Sequence, residues 1–246
     1  MSGHSKWANI KNKKAKTDAA KGKIFTKIGR EIAVAAKAGA DPNTNSKLAD
    51  VIAKAKAANM PNDNIKRSIL KATGELGNVN YENLVYEGYG IGGSAVIVST
   101  LSENKNRTVG EVRHIFDKYG GSLGTSGSVS FMFKNCGVLV IERTVDLDED
   151  TVMELVLDSG ADDVITEEDV YEIRTAPAAF SAVRKYFEER GYSFIEASIQ
   201  MVPNDKITLN EDQLVTFNKM LDAFDDNDDV QDIYHNVELP EEEDED

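Results

Sequence analysis

Nine Lys or Arg residues fall within the first thirty positions, against a single Asp, and the chain's one Trp stands among them. The stretch reads SGHSKWANIKNKKAKTDAAKGKIFTK. Ammonium groups at this density suit phosphate, since each is a point charge able to neutralise one backbone anion. Their spacing is ordered. At about 100° per residue, Lys16, Lys23, Lys27, Arg30 and Lys37 share an arc of roughly 80°. Ile24, Phe25, Ile28, Ile32, Ala35 and Ala36 occupy a separate arc. One helix face therefore enters a core while another displays a basic stripe. Lys6, Lys11, Lys13 and Lys14 lie ahead of the stripe, and Lys21 adds a further cation in the same stretch of sequence. Trp7 has two uses open to it. It can staple the arm to a folded unit, or it can stack on an unpaired base. The basic residues are nearly all Lys, and only Asn9 and Asn12 resemble base readers. The set Lys6, Trp7, Asn9, Lys11, Lys13, Lys14, Lys16, Lys21, Lys23, Lys27 and Arg30 thus points to phosphate binding with weak direct base readout.

Other chemistries find no support in the residue pattern. His4, His114 and His235 are far apart, and no His and Cys share metal-ligand spacing. Cys136 is the only thiol, so no internal disulfide forms, which fits a reducing compartment. Neither a Walker sequence nor a nucleophile elbow is present. EGYGIGG and YGGSLGTSGS are Gly-rich, but the first lies between two strands instead of opening a helix. The second follows a helix, where Gly120 or Gly121 serves as a left-handed cap. Both read as turns. No catalytic residue, metal, cofactor or small-molecule substrate is expected, and the protein reads as a non-enzyme.

Charge is segregated along the chain. Residues 1–71 hold sixteen Lys or Arg and five Asp or Glu, a net of +11, whereas the remainder is at −26. A polyanion is drawn to one end of such a molecule and repelled by the other. The N-terminus has no apolar run after its positive charges, and IAVAA at 32–36 is far too short to span a bilayer. The expectation is a soluble, cytoplasmic protein with no membrane partner.

The elements that carry these residues follow from periodicity. Residues 1–16 lack an apolar face and read as an arm that is mobile when free. Helices are predicted from Thr17 or Asp18 to a stop at Gly39, over Ser46–Ala58, and from Pro61 to Thr73. NLVYEGYG and SAVIVSTL read as strands, followed by a helix that opens on a Thr108–Glu111 capping box, and SVSFMF as a strand. From Gly137 the order is strand, helix, strand, strand, helix, strand, the split βαβ or ferredoxin-like pattern. A last helix, with a Thr208–Glu211 capping box, and the strand VQDIYHNVEL complete the earlier strands. The fold class is α+β: a three-helix N-terminal domain, then two α+β domains, the ferredoxin-like one inserted in the other. The boundaries are 1–78 for the arm and helical domain, 79–135 with 199–238 for the discontinuous domain, 136–198 for the ferredoxin-like domain, and 239–246 for an acidic tail.

The motifs GHSKWANIKNKKAKTDAAKGKIFTKIGREI, AANMPNDNIKRSI, YEGYGIGGSAVIV and NRTVGEVRHIFDKYGGSLGTSGSVSFMF resemble those of the YebC/PmpR family over essentially the whole length. The chain departs from that pattern at Ile91, where family members often carry Pro, and near Ala20, where they tend to be more basic. The resemblance implies a cytoplasmic, DNA-binding transcriptional regulator with a helical domain and two α+β domains, and no catalytic residues. Mitochondrial relatives act as translational activators, and some bacterial members are linked to the ribosome. Nucleic acid is therefore the expected partner, DNA first, with ribosomal or messenger RNA as the alternative. The acidic body offers surfaces for protein partners. A third reading is a protein-interaction module whose Lys arm docks on an acidic partner.

Overall fold

Residues 18–74 and 80–240 are described by the structure, a computed structural model. Three helices come first: α1 (Asp18–Ala36), α2 (Ser46–Ala57) and α3 (Asn62–Ala72). The apolar arc of α1 buries Ile28, Ile32 and Ala36 against Leu48 and Ala55 of α2 and Ile65 of α3. Asn45 sets the corner between α1 and α2. Its side-chain oxygen caps the Leu48 N–H, and its amide donates to the Ala35 and Gly39 carbonyls. Four residues join α2 to α3, with Asn59 left-handed at φ 58° and Pro61 pre-set for the helix that follows.

The next elements are β1 (Glu82–Tyr89), β2 (Ala95–Ser102), α4 (Lys105–Lys118), β3 (Ser122–Leu123) and β4 (Phe133–Glu142). Then come α5 (Glu149–Ser159), β5 (Asp163–Thr166), β6 (Val170–Thr175), α6 (Phe180–Glu189), β7 (Glu196–Pro203), α7 (Glu211–Asp225) and β8 (Val230–His235). They form two four-stranded sheets, ordered β3-β1-β2-β8 and β5-β6-β4-β7, and all neighbouring strands are antiparallel. In the first, Val96 and Val98 share a core with Val112 and Phe116 of α4 and Phe217, Met220 and Phe224 of α7. In the second, Leu139, Ile141 and Ile173 pack under Val152 and Val156 of α5 and Val183 and Phe187 of α6. Ala95, Ile97, Val129 and Phe133 form a smaller core, with Met201 and Tyr234 packed against it, where the two sheets meet.

The chain is α+β, as expected, with the helical unit first. After completing the ferredoxin-like sheet with β7, it returns to the first sheet through α7 and β8. Positions 135/136 and 198/199 fall inside β4 and β7, because both strands run unbroken through the pairing that joins them. The EGYGIGG segment ends β1 with Glu87–Tyr89 and then turns into β2, with Gly92 at φ 67° and Gly93 at φ 77°. Cys136 is buried in β4, and burial pushes its thiol above the usual range.

Three local expectations are corrected. Helix α4 starts earlier than predicted: Asn104 caps it, and Thr108 is buried with its hydroxyl turned to Asp229. The cap of α7 is Asn210 paired with Gln213, in place of Thr208 with Glu211. Residues 128–132 do not extend as a strand. The buried Glu87 carboxylate accepts N–H bonds from Gly127, Val129 and Ser130, which curls that segment into turns before β4 begins. These three bonds outweigh burial and hold the Glu87 carboxyl below its ordinary range.

The two glycines after α4 divide the work assigned to them. Gly120 is the left-handed cap, at φ 76°. Gly121 is needed for space: a Cβ there would lie 2.5 Å from the Tyr89 carbonyl oxygen and 3.0 Å from the Gly90 Cα. Gly121→Ala should therefore cost about 1–3 kcal/mol by overpacking backbone against backbone. Gly110→Ala, in open space on α4, should instead stabilise by up to about 1 kcal/mol. Urea midpoints of the two variants check both signs, and equal midpoints would refute the close-approach account.

Candidate nucleic-acid interface

The basic stripe of α1 is read most directly from what it touches. Lys23 Nζ lies 2.6 Å from Asp226 Oδ1, Lys27 Nζ 3.5 Å from Asp225 Oδ1, and Arg30 Nη1 2.7 Å from Asp229 Oδ1. The i, i+4, i+7 spacing that aligns these cations on one face lays them along the acidic end of α7 and the turn that follows. Asp222 and Asp225 sit in the last turn of α7, where the helix dipole is already negative and α7 supplies no cation of its own. Helix α1 supplies that compensation from outside.

Arg30 is the most deeply engaged of the three. It also donates to the Leu101 carbonyl at 2.9 Å, and its guanidinium lies 5.4 Å from the centre of the Tyr81 ring. Asp229, only 2% exposed, collects the Arg107 guanidinium at 2.6 Å, the Thr108 hydroxyl at 2.8 Å and the Ser102 hydroxyl at 2.9 Å. Burial alone would raise this carboxyl, but the donors from Arg107, Thr108, Arg30 and Ser102 outweigh it and hold it down at about 2. Lys23 differs, being exposed; its hydrogen bond to Asp226 raises it somewhat. Lys21 is exposed and also engaged in contacts, and Lys37 donates to Asn80.

The helical unit is tied to the second sheet as well. Arg184 of α6, 8% exposed, donates through Nε and Nη2 to Asp50 of α2, at 3.2 and 2.8 Å, while Ser181 takes the other carboxylate oxygen at 2.6 Å. Glu31 of α1 bonds Lys54 of α2 at 2.8 Å. Burial works against the Lys54 charge, yet Asp232 and Glu31 hold it above its ordinary range.

Among the predicted site residues, Lys6, Trp7, Asn9, Lys11, Lys13, Lys14 and Lys16 lie outside the described residues, as does the mobility expected of the arm. The structure does bring Lys23, Lys27 and Arg30 into one row, but against the protein's own carboxylates. Sequence reasoning missed Asp225, Asp226 and Asp229 as their partners. The available signal was DDNDD itself, an acidic run whose turn spacing can match a basic helix face. His114 is exposed on α4, and His235 accepts the Val237 N–H while packing edge-on to Phe217 at 5.1 Å. Among the described residues no cluster of three or more His, Cys, Asp or Glu is able to hold a metal, and no helix is long and apolar enough to cross a membrane.

A basic helical unit clamped by ion pairs to two antiparallel, helix-covered sheets defines a three-part α+β protein of segregated charge. The chain belongs to the TACO1/YebC family. The model of that family's N-terminal domain matches residues 5–75, and the model of its second and third domains matches residues 81–237. A probable transcriptional regulatory protein of Acetivibrio thermocellus is 59% identical over 96% of this chain and 98% of its own. One from Thermoanaerobacter pseudethanolicus is 52% identical over the full length of both chains. The crystal structure of a conserved hypothetical protein from Aquifex aeolicus is similar at 40% identity and TM-score 0.82, covering 93% of this chain and 94% of that one.

Proposed function

We propose that this protein is a nucleic-acid-binding regulator of gene expression, with DNA as its first ligand and cytoplasmic transcription control as its role. The single observation that carries this reading is the charge division, +11 over residues 1–71 against −26 over the rest. The relatives' shared description as probable transcriptional regulatory proteins supports it. The phosphate-contacting part is the Lys-rich first segment, with Lys6, Trp7, Asn9, Lys11, Lys13, Lys14 and Lys16 of the arm acting beside α1. The division into an arm with a helical domain, a discontinuous α+β domain and an inserted ferredoxin-like domain presents that segment at one end. The acidic body keeps nucleic acid from wrapping further and offers surfaces to protein partners. No reaction is assigned to it. A second reading, an RNA-associated translation factor, is favoured by the near absence of base-reading side chains among the basic residues.

Fluorescence anisotropy across a salt series tests both readings, with duplex DNA and unstructured RNA in parallel. Neutralising about five to seven phosphates should give log K against log salt a slope of roughly −4 to −6 on duplex, and a shallower one on single-stranded RNA. Binding to neither ligand at low salt would overturn the proposal.

A further inference from the structure

The α1 stripe already has anions seated on it, so phosphate must compete there with Asp225, Asp226 and Asp229. Among the described residues a second set of cations faces no such competitor. Lys56 lies at the end of α2, and Lys66, Arg67 and Lys71 lie on α3, all four exposed. Among the described residues none of their side chains makes a hydrogen bond, ion pair or ring contact. The three on α3 are exposed, whereas Ile65 and Ser68 of the same helix are buried. Residues 56–74 carry only one acid, Asp63, among these four cations. Asp63 sits in the first turn of α3, where the helix dipole favours a negative charge. Asn59 and Asn62 are exposed in and beside the turn joining the two helices, as neutral partners for phosphate oxygens.

We propose that the α2–turn–α3 face, through Lys56, Lys66, Arg67 and Lys71, is a phosphodiester-binding surface of this protein. The inference rests on the nucleic-acid reading above and moves the open phosphate site from α1 to α3. Lys66, Arg67 and Lys71 span about 7 Å of helix axis. One DNA strand presents a phosphate about every 3.4 Å of its axis, so this row matches two to three consecutive phosphates. Lys dominates, which suits backbone contact over base identity.

The test uses the full-length chain and the variants Lys66→Gln, Arg67→Gln and Lys71→Gln combined, titrated by anisotropy on a short duplex DNA and on an unstructured RNA. The combined variant should flatten the salt slope by roughly two to three units and weaken binding at moderate salt by at least about tenfold. The charge-keeping set Lys66→Arg, Arg67→Lys and Lys71→Arg should retain binding, and both variants should melt with the wild type. The ligand on which the loss is larger identifies whether DNA or RNA supplies the phosphates. If the wild-type chain binds and the Gln variant keeps its affinity and slope on both ligands, this face is only solvated and the inference is wrong. If the wild-type chain binds neither, the nucleic-acid reading itself fails and takes the inference with it.

Discussion

Asp229→Ala should destabilise the folded protein by about 3–5 kcal/mol, because it leaves two guanidinium groups facing a vacated anion position. Arg30 and Arg107 both donate to this carboxylate, from different units of the chain, and the Thr108 and Ser102 hydroxyls complete its shell. Arg30→Ala should cost less, since Asp229 keeps three donors. Urea unfolding followed by far-ultraviolet circular dichroism measures both, and a midpoint for Asp229→Ala equal to wild type would refute the account. The same carboxylate carries an acid dependence. It is held at about 2 in the folded protein, against about 3.9 in an unfolded chain. The folded pKa is the lower one, so the contribution is complete above pH ~4 and is lost as pH falls through about 2, in total about 2–3 kcal/mol. Asp229→Asn should lose correspondingly less stability between those limits. Equal acid slopes in the two proteins would show that other groups govern the transition.

Arg184→Ala is the second large effect, expected at about 2–4 kcal/mol. Arg184 is buried on α6, and its two donors to one Asp50 oxygen, with Ser181 on the other, join the helical unit to the ferredoxin-like sheet. Removing the guanidinium leaves Asp50 with one hydroxyl. Arg184→Lys should not restore stability, because a single ammonium cannot reproduce the Nε and Nη2 geometry while also reaching Glu188. Amide exchange should show α2 opening more readily in Arg184→Ala than in wild type. Unchanged protection of α2, together with an unchanged urea midpoint, would mean that apolar packing alone holds the interface.

Much of the architecture was legible one element at a time. Ile28, Ile32 and Ala36 recur at helical spacing and are the residues that α1 buries, because a helix in water hides whichever face is apolar. GVLVIER and VYEIRT are strands for the related reason that β-branched and apolar residues suit a buried pleat. Caps were less legible. Thr108 looks like an N-cap by type and spacing, yet its hydroxyl is drawn to Asp229, a residue 121 positions away. SVSFMF has strand composition, yet the distant Glu87 carboxylate gathers its N–H groups and keeps most of it out of a sheet.

What the sequence by itself determined is the set of local preferences: which faces are apolar, where Gly and Asn break the chain, and that positive charge lies at one end. Periodicity and charge are properties of neighbouring residues, so they can be read without knowing the fold. Only the tertiary structure decided which cations remain open. Lys23, Lys27 and Arg30 share one helix face, and the return of α7 and β8 to the first sheet lays Asp225, Asp226 and Asp229 along it, residues about two hundred positions away in sequence. Lys66, Arg67 and Lys71 show a less regular pattern in sequence, yet among the described residues no acidic segment is folded over them. Ion pairing depends on distances of a few ångströms between segments some two hundred residues apart, and that proximity is created by sheet order and packing, not by the residues of either segment alone.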